Sequence, residues 1–262
     1  MKHKNTIWIF VIALTLFEAA FLGYLLMDRS HLRYFPYVMF LPTFAAWIAW
    51  ASAKDWQGIV APLRTRLDLW GYAFSFLYPV LFLLFLVAFV WLTGLAEYQS
   101  QKSWYQPPVR NLYGFVMAIC LVSGEEWGWR GFMLPKLTER YGRFWAAFWV
   151  GVIWGVFHVP IVYVLAMNLK TADPLTLVAI HMFTVFSFSF PFAYAYYRTQ
   201  SMWAPVLFHF TWNWLNPVWL GNLYRNQSGV MKGNLLLVNG EGILGFLFTL
   251  PFIYWFWCWQ KG

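Results

Sequence analysis

The sequence predicts an all-α fold, a polytopic membrane bundle of about eight transmembrane helices forming a single transmembrane domain over residues 1–262. Three observations carry this. The chain is 61% hydrophobic and only 11% charged, against about a quarter charged in soluble domains, so part of its solvent must be lipid. The apolar residues come in continuous runs of ~20, the length a helix needs to cross hydrocarbon, without the alternation of a barrel strand. Inside those runs the ionisable side chains are few, and most of them gather in three segments.

Taken in order, a short basic tail (1–5) precedes the first segment, Thr6–Met27, which contains Glu18. That segment is too long for the apolar core of a cleavable signal and reads as a signal-anchor. The second segment is 34–53, the third 70–93, the fourth 111–137 and the fifth 144–166. The sixth is 174–197, the seventh 202–220 and the eighth 242–259. The connection over 54–69 holds Lys54, Arg64 and Arg66 and is expected to lie on the surface as an amphipathic piece.

Counted by loop, ten Lys and Arg fall on the side of the termini and seven on the other, with Arg130 inside the membrane. Lys2 and Lys4 are among the ten. This bias places both termini in the cytoplasm of a cell-membrane protein. The formal net charge of +8 is scattered one to three per loop, which excludes a basic patch and a nucleic-acid partner. Trp50, Trp104, Tyr105 and Trp259 sit near segment ends, as interface anchors do. Cys120 and Cys258 lie in apolar segments with no CxxC pair, and are expected to be buried and reduced.

The fourth segment carries Ser123-Gly124-Glu125-Glu126-Trp127-Gly128-Trp129-Arg130-Gly131. A charge at the bilayer centre costs ~3 kcal/mol on insertion scales, so three ionisable groups there need a reason. On a helix Glu126 and Arg130 are four apart and share a face, where they can pair as an orienting or merely structural ion pair. Glu125 points elsewhere, roughly 140° round the axis. It is the free carboxylate, suited to general acid or base work if it faces a cavity. Gly124, Gly128 and Gly131 let another backbone approach closely.

The fifth segment places His158 among apolar neighbours, with Pro160 allowing a bend just past it. The seventh places His209 and Asn213 four apart on one face, between Pro205 and Pro217, which predict a kinked or locally unwound helix. Each of these groups is also at home as interhelical hydrogen-bonding glue. Together, Glu125, Glu126, Arg130, His158, His209 and Asn213 sit where burial is most expensive, so convergence on one wet cavity is the economical arrangement. Glu18 and His181 have no companions at helical spacing and read as helix-contact or interface residues.

At these residues the chain resembles the CPBP family of intramembrane proteases, also called the Abi or type II CAAX prenyl protease family. That family shows a double glutamate, three residues, then arginine. It next shows an aromatic, three residues, then histidine, and finally a histidine, three residues, then asparagine or aspartate. Glu125-Glu126 with Arg130 matches the first motif and His209 with Asn213 the third. The second has Trp154 before His158, where phenylalanine is usual. The resemblance covers roughly 113–220, with a catalytic core over 111–220.

The resemblance implies peptide-bond hydrolysis within or at the membrane, in a helix bundle whose conical cavity opens to the cytoplasmic side. Glu125 would polarise the attacking water with His158, while His209 and Asn213 would donate to the oxyanion. Glu126 and Arg130 would support them. Glu125, His158 and His209 have the ligand types for a Zn²⁺ with an open fourth position. No HExxH is present, however, and a tightly bound metal is not expected. The implied substrate is a membrane-associated or prenylated, CAAX-type peptide, its carboxylate met by loop cations such as Arg64, Arg140 or Arg198. Two other readings remain: a non-catalytic bacteriocin-immunity or scaffold protein of the same fold, and a proton- or ion-coupled transporter using Glu125 and His158 as a relay.

Overall fold

The computed structural model describes residues 5–107, 112–169 and 173–261. The order is α1 (Thr6–Met27), a 3₁₀ stretch (Arg29–Phe40), α2 (Leu41–Ser52), the short α3 (Trp56–Val60) and α4 (Leu69–Leu92). Next come α5 (Leu112–Glu126), a π-helical segment (Trp127–Met133), α6 (Leu134–Leu169), α7 (Pro174–Thr199), α8 (Trp203–Trp219), the short α9 (Leu235–Val238) and α10 (Ile243–Trp259). Two three-residue strands, β1 (Ala96–Tyr98) and β2 (Met231–Gly233), pair antiparallel and tie the loop after α4 to the loop after α8. The fold is an all-α polytopic bundle, as the composition predicts.

Six stretches among the described residues are long and apolar enough to cross a membrane. One of them, Leu112–Asn168, covers 57 residues. It breaks at Gly142, whose φ of 78° and ψ of 170° leave the helical region, a conformation cheap only for glycine. It therefore supplies both the fourth and the fifth expected segments. The expected seventh is α8, with 17 residues. Asn111, Lys2 and Lys4 lie outside the described residues.

Several local expectations are corrected. Only Leu41–Ser52 of the expected second segment is α-helix, because 34–40, with Pro36 inside, belongs to the 3₁₀ stretch. α8 runs unbroken: Pro205 falls in its first turn, where an N–H has no intrahelical partner, and Pro217 in its last. α6 continues through Pro160, its non-helical residue being Gly142. The irregularity near the polar stretch is instead the π segment, a widened turn common at functional sites. Trp50 is no interface anchor but is buried, edge-on to Phe132 at 5.0 Å. Cys120 and Cys258 are free and exposed on outer helix faces, where lipid covers an apolar thiol as well as protein does.

Glycines set the helix approaches that position the polar groups. A Cβ on Gly128 would lie 2.6 Å from the Pro42 carbonyl oxygen, and one on Gly131 2.8 Å from the Pro62 ring. The Thr43 hydroxyl donates to the Gly124 carbonyl across the same contact. The three small residues seen in the sequence thus seat α5 and the π segment against α2 and the 54–69 connection. A second pair does the same between α6 and α7. A Cβ on Gly151 would lie 2.8 Å from the Phe186 carbonyl oxygen, and one on Gly155 3.0 Å from that of Met182. Beneath the site, Phe10 stacks on Phe132 at 5.1 Å and meets Trp129 edge-on at 5.7 Å.

Candidate active site

Glu125 closes α5 and is 3% exposed. Its Oε1 accepts from the Trp154 indole N–H at 2.5 Å and from that of Trp129 at 3.3 Å. Two neutral donors therefore fix the carboxylate's direction without neutralising it. The Trp154 bond gives the departure from phenylalanine a physical meaning, since phenylalanine has no N–H to give. His158 lies one turn beyond Trp154 on α6, and its Nδ1 donates to the Trp154 carbonyl at 2.8 Å. That bond leaves the lone pair on Nε2, which stands 4.0 Å from Glu125 Oε1.

Glu126 and Arg130 are both 0% exposed and pair at 3.1 Å, as their spacing predicts. The same carboxylate also accepts from His209 Nδ1 at 2.9 Å. Glu126 is thus the junction between the π segment and α8, a contact that helical spacing along one segment does not reveal. The guanidinium lies over the Trp154 ring at 4.2 Å and the Phe192 ring at 4.4 Å. Its Nε and Nη2 have no hydrogen-bond partner among the described residues, and the guanidinium faces aromatic surface instead. Trp154 therefore touches both halves of the polar cluster, and its ring centroid is 6.2 Å from that of His209.

Glu125, His158, His209 and Asn213 line one cavity of about 180 Å³, whereas Glu126 and Arg130, expected on the same cavity, are buried behind its wall. Asn213 is exposed, one turn on from His209. Glu18 does not line it, in keeping with its reading as a helix-contact residue. Three titratable lining residues are not assigned to the site by the sequence. His181 was set apart, yet its ring centroid is 5.0 Å from that of His158. The signal for it was Gly151-x-x-x-Gly155, which draws α7 onto α6 at that level. Tyr224 and Glu241 come from the loops flanking β2, and the Tyr224 hydroxyl is 3.1 Å from the His181 ring nitrogens. No local pattern marks residues of a loop that folds back between helices.

Among the described residues, no three His, Cys, Asp or Glu side chains group closely enough to hold a metal ion. The trio offered by the sequence for Zn²⁺, Glu125, His158 and His209, does not form such a group.

The cavity is lined from the start of the second span, the end of α5, the middle of α6, α7 between His181 and Phe192, the middle of α8 and the 220–242 loop. Arg64, Arg140 and Arg198 are not among the described residues lining it, so none of them is placed to meet a substrate carboxylate there. Arg198 is in any case paired with Asp68 at 3.0 Å.

Residues 107–215 match the family model described as type II CAAX prenyl endopeptidase Rce1-like. The matched segment contains Glu125, Glu126, Arg130, His158, His209 and Asn213, which bears out the resemblance at the three motifs. No curated protein matches the chain.

Proposed function

We propose, from the premise of that Rce1-like segment, that the chain is an intramembrane endopeptidase. It hydrolyses a peptide bond of a membrane-associated or prenylated, CAAX-type peptide through a carboxylate-activated water. The observation that carries this is the 4.0 Å gap between Glu125 Oε1 and His158 Nε2. One water making hydrogen bonds of ~2.8 Å to each closes that gap at an angle near a right angle.

In this reading the water oxygen attacks the carbonyl carbon and its proton passes to Glu125. His158 Nε2 accepts the water's second hydrogen bond and fixes its direction. The tetrahedral oxyanion takes hydrogen bonds from His209 and Asn213. His209 gives its Nδ1–H to Glu126, so donation from Nε2 requires the imidazolium, with Glu126 as counter-ion. The C–N bond then breaks and the proton on Glu125 goes to the leaving amine. Oxyanion donors in such a site are worth ~3 kcal/mol each, and a placed general base adds about 10²–10⁴-fold.

The family match supports a cavity open to the cytoplasm, where a prenylated carboxy-terminal peptide is presented. With Tyr224 and Glu241, from the connection between α8 and α10, at its cytoplasmic end, spans that alternate in direction would turn both termini to the opposite face, against a loop-charge excess of only ten to seven. An extracytoplasmic-active phosphatase fused after Gly262 is expected to be active in cells. An inactive phosphatase with a fluorescent cytoplasmic fusion would restore the loop-charge topology. The activity is tested with protein in lipid vesicles and a lipid-tethered fluorogenic peptide. Wild-type protein should cleave it and Glu125→Ala should not, with both equally folded. Equal cleavage by the two would remove Glu125 from the reaction. No observation favours the scaffold or transporter readings over this one.

A further inference from the structure

The wall opposite Glu125 carries a second carboxylate, Glu241, for which the hydrolytic step above has no use. Its Oε1 accepts from the Trp212 indole at 3.2 Å. Its backbone N–H is held by Asn239 Oδ1 at 2.9 Å, which also accepts from Asn216 Nδ2 at 3.0 Å. The Gly240 N–H donates to Asn216 Oδ1 at 3.0 Å, and Asn239 Nδ2 to the Gly221 carbonyl at 2.5 Å. Asn216 and Asn239 are buried. A Cβ on Gly240 would lie 2.7 Å from Asn216 Oδ1, so only glycine allows this approach. Two buried amides and a tryptophan thus fix this carboxylate at the cavity wall.

Those partners are all neutral. The ionisable side chains beside it among the described residues are His181, whose Nδ1 is 3.9 Å away, too long for a hydrogen bond, with the Tyr224 hydroxyl against its ring, and His209, which gives its Nδ1–H to Glu126. No Lys or Arg is among the described residues lining the cavity, whereas two carboxylates are. A carboxylate withdrawn from water calls for a cationic partner. The one cation the hydrolytic reading places in this cavity, the His209 imidazolium, is already held by Glu126, so Glu241 has none of its own. Glu241 lies two imidazole rings from Glu125, through His181 and His158, within reach of an extended basic side chain next to the reacting carbonyl.

We propose that Glu241 is a specificity-determining residue that binds a lysine or arginine side chain of the substrate close to the scissile bond. The position relative to that bond rests on the endopeptidase reading. The binding itself does not.

The test uses three lipid-tethered peptides that differ at one position flanking the cleavage site: lysine, norleucine or glutamate. With wild-type protein in vesicles, kcat/KM for the lysine peptide should exceed that for norleucine by about tenfold, and glutamate should be poorest. Glu241→Gln should bring the lysine-to-norleucine ratio to about one, and Glu241→Lys should place glutamate first. An unchanged ratio in both variants, or no charge preference in the wild type at any flanking position, overturns the proposal. If Glu241→Gln does not fold, Trp212→Phe releases the carboxylate's direction and should lower the same ratio. Kd values for the same peptides separate the two readings. If nothing is cleaved, the endopeptidase reading falls, and tighter wild-type binding of lysine than norleucine, lost in Glu241→Gln, still upholds this site. Equal binding overturns it.

Discussion

Glu126→Gln tests the buried junction most severely. The residue is fully buried, pairs with Arg130 at 3.1 Å and accepts from His209 at 2.9 Å. Removing one partner of a buried pair costs about 3–5 kcal/mol because the other charge is stranded. Arg130 is 0% exposed, so water cannot reach it in compensation. The Trp154 and Phe192 faces offset part of this, about 2 kcal/mol for a desolvated cation–π contact. The single variant should therefore lose a large share of the 5–15 kcal/mol typical of a folded domain. Glu126→Gln/Arg130→Met removes both charges and should recover most of that stability. Activity should not return with it. His209 has lost its counter-ion, and losing one oxyanion donor costs roughly 10²–10³-fold in kcat. Thermal unfolding in detergent, alongside kcat on the tethered peptide, reads both quantities. A double variant no more stable than the single, or one with wild-type kcat, would refute the assignment of Glu126 to both partners.

Trp154→Phe removes the 2.5 Å indole bond to Glu125 and keeps an aromatic face over Arg130. A hydrogen bond to a charged group is worth roughly 1.5–3 kcal/mol, so kcat should fall at least about tenfold with KM little changed, as steady-state kinetics will show. Gly155→Val puts a side chain against the Met182 carbonyl. It should cost about 1–3 kcal/mol by overpacking and lower kcat by parting His158 from α7, checked by thermal unfolding and turnover together. At the other face, the Gly71 amide first, and then the Arg198 guanidinium, hold the Asp68 carboxyl below its ordinary value. A lowered folded-state value means stability that is present above the unfolded value near 3.9 and lost as pH falls through the folded one. Asp68→Asn should remove that acid-side loss, so the variant's unfolding profile should be flatter than wild type below about pH 4.

The helices were legible because lipid imposes long apolar runs, and the first segment, Thr6–Met27, is found at its expected bounds. The Glu126–Arg130 pair was legible because four-residue spacing is local. The bond from Glu126 to His209 was not, since it joins segments 83 residues apart. His181 looked solitary because its companions, Tyr224 and Glu241, come from a loop that reads as ordinary polar connection. The 3₁₀ stretch and the π turn escaped for another reason. Both lie where Phe40, Pro42 and Pro62 meet glycines of the polar segment closely, a long-range contact that no residue's own helix preference records. That the cavity reaches the 220–242 loop is visible only from Tyr224 and Glu241 on its wall.

The central claim is that Glu125 and His158 act on the same water, and a double-mutant cycle tests it most directly. kcat is measured for wild type, Glu125→Gln, His158→Ala and the double variant on one tethered peptide in vesicles. Groups that share one water act as a unit, so the double variant should be no slower than the worse single. Losses that multiply, or a Glu125→Gln variant that turns over like wild type, would contradict it.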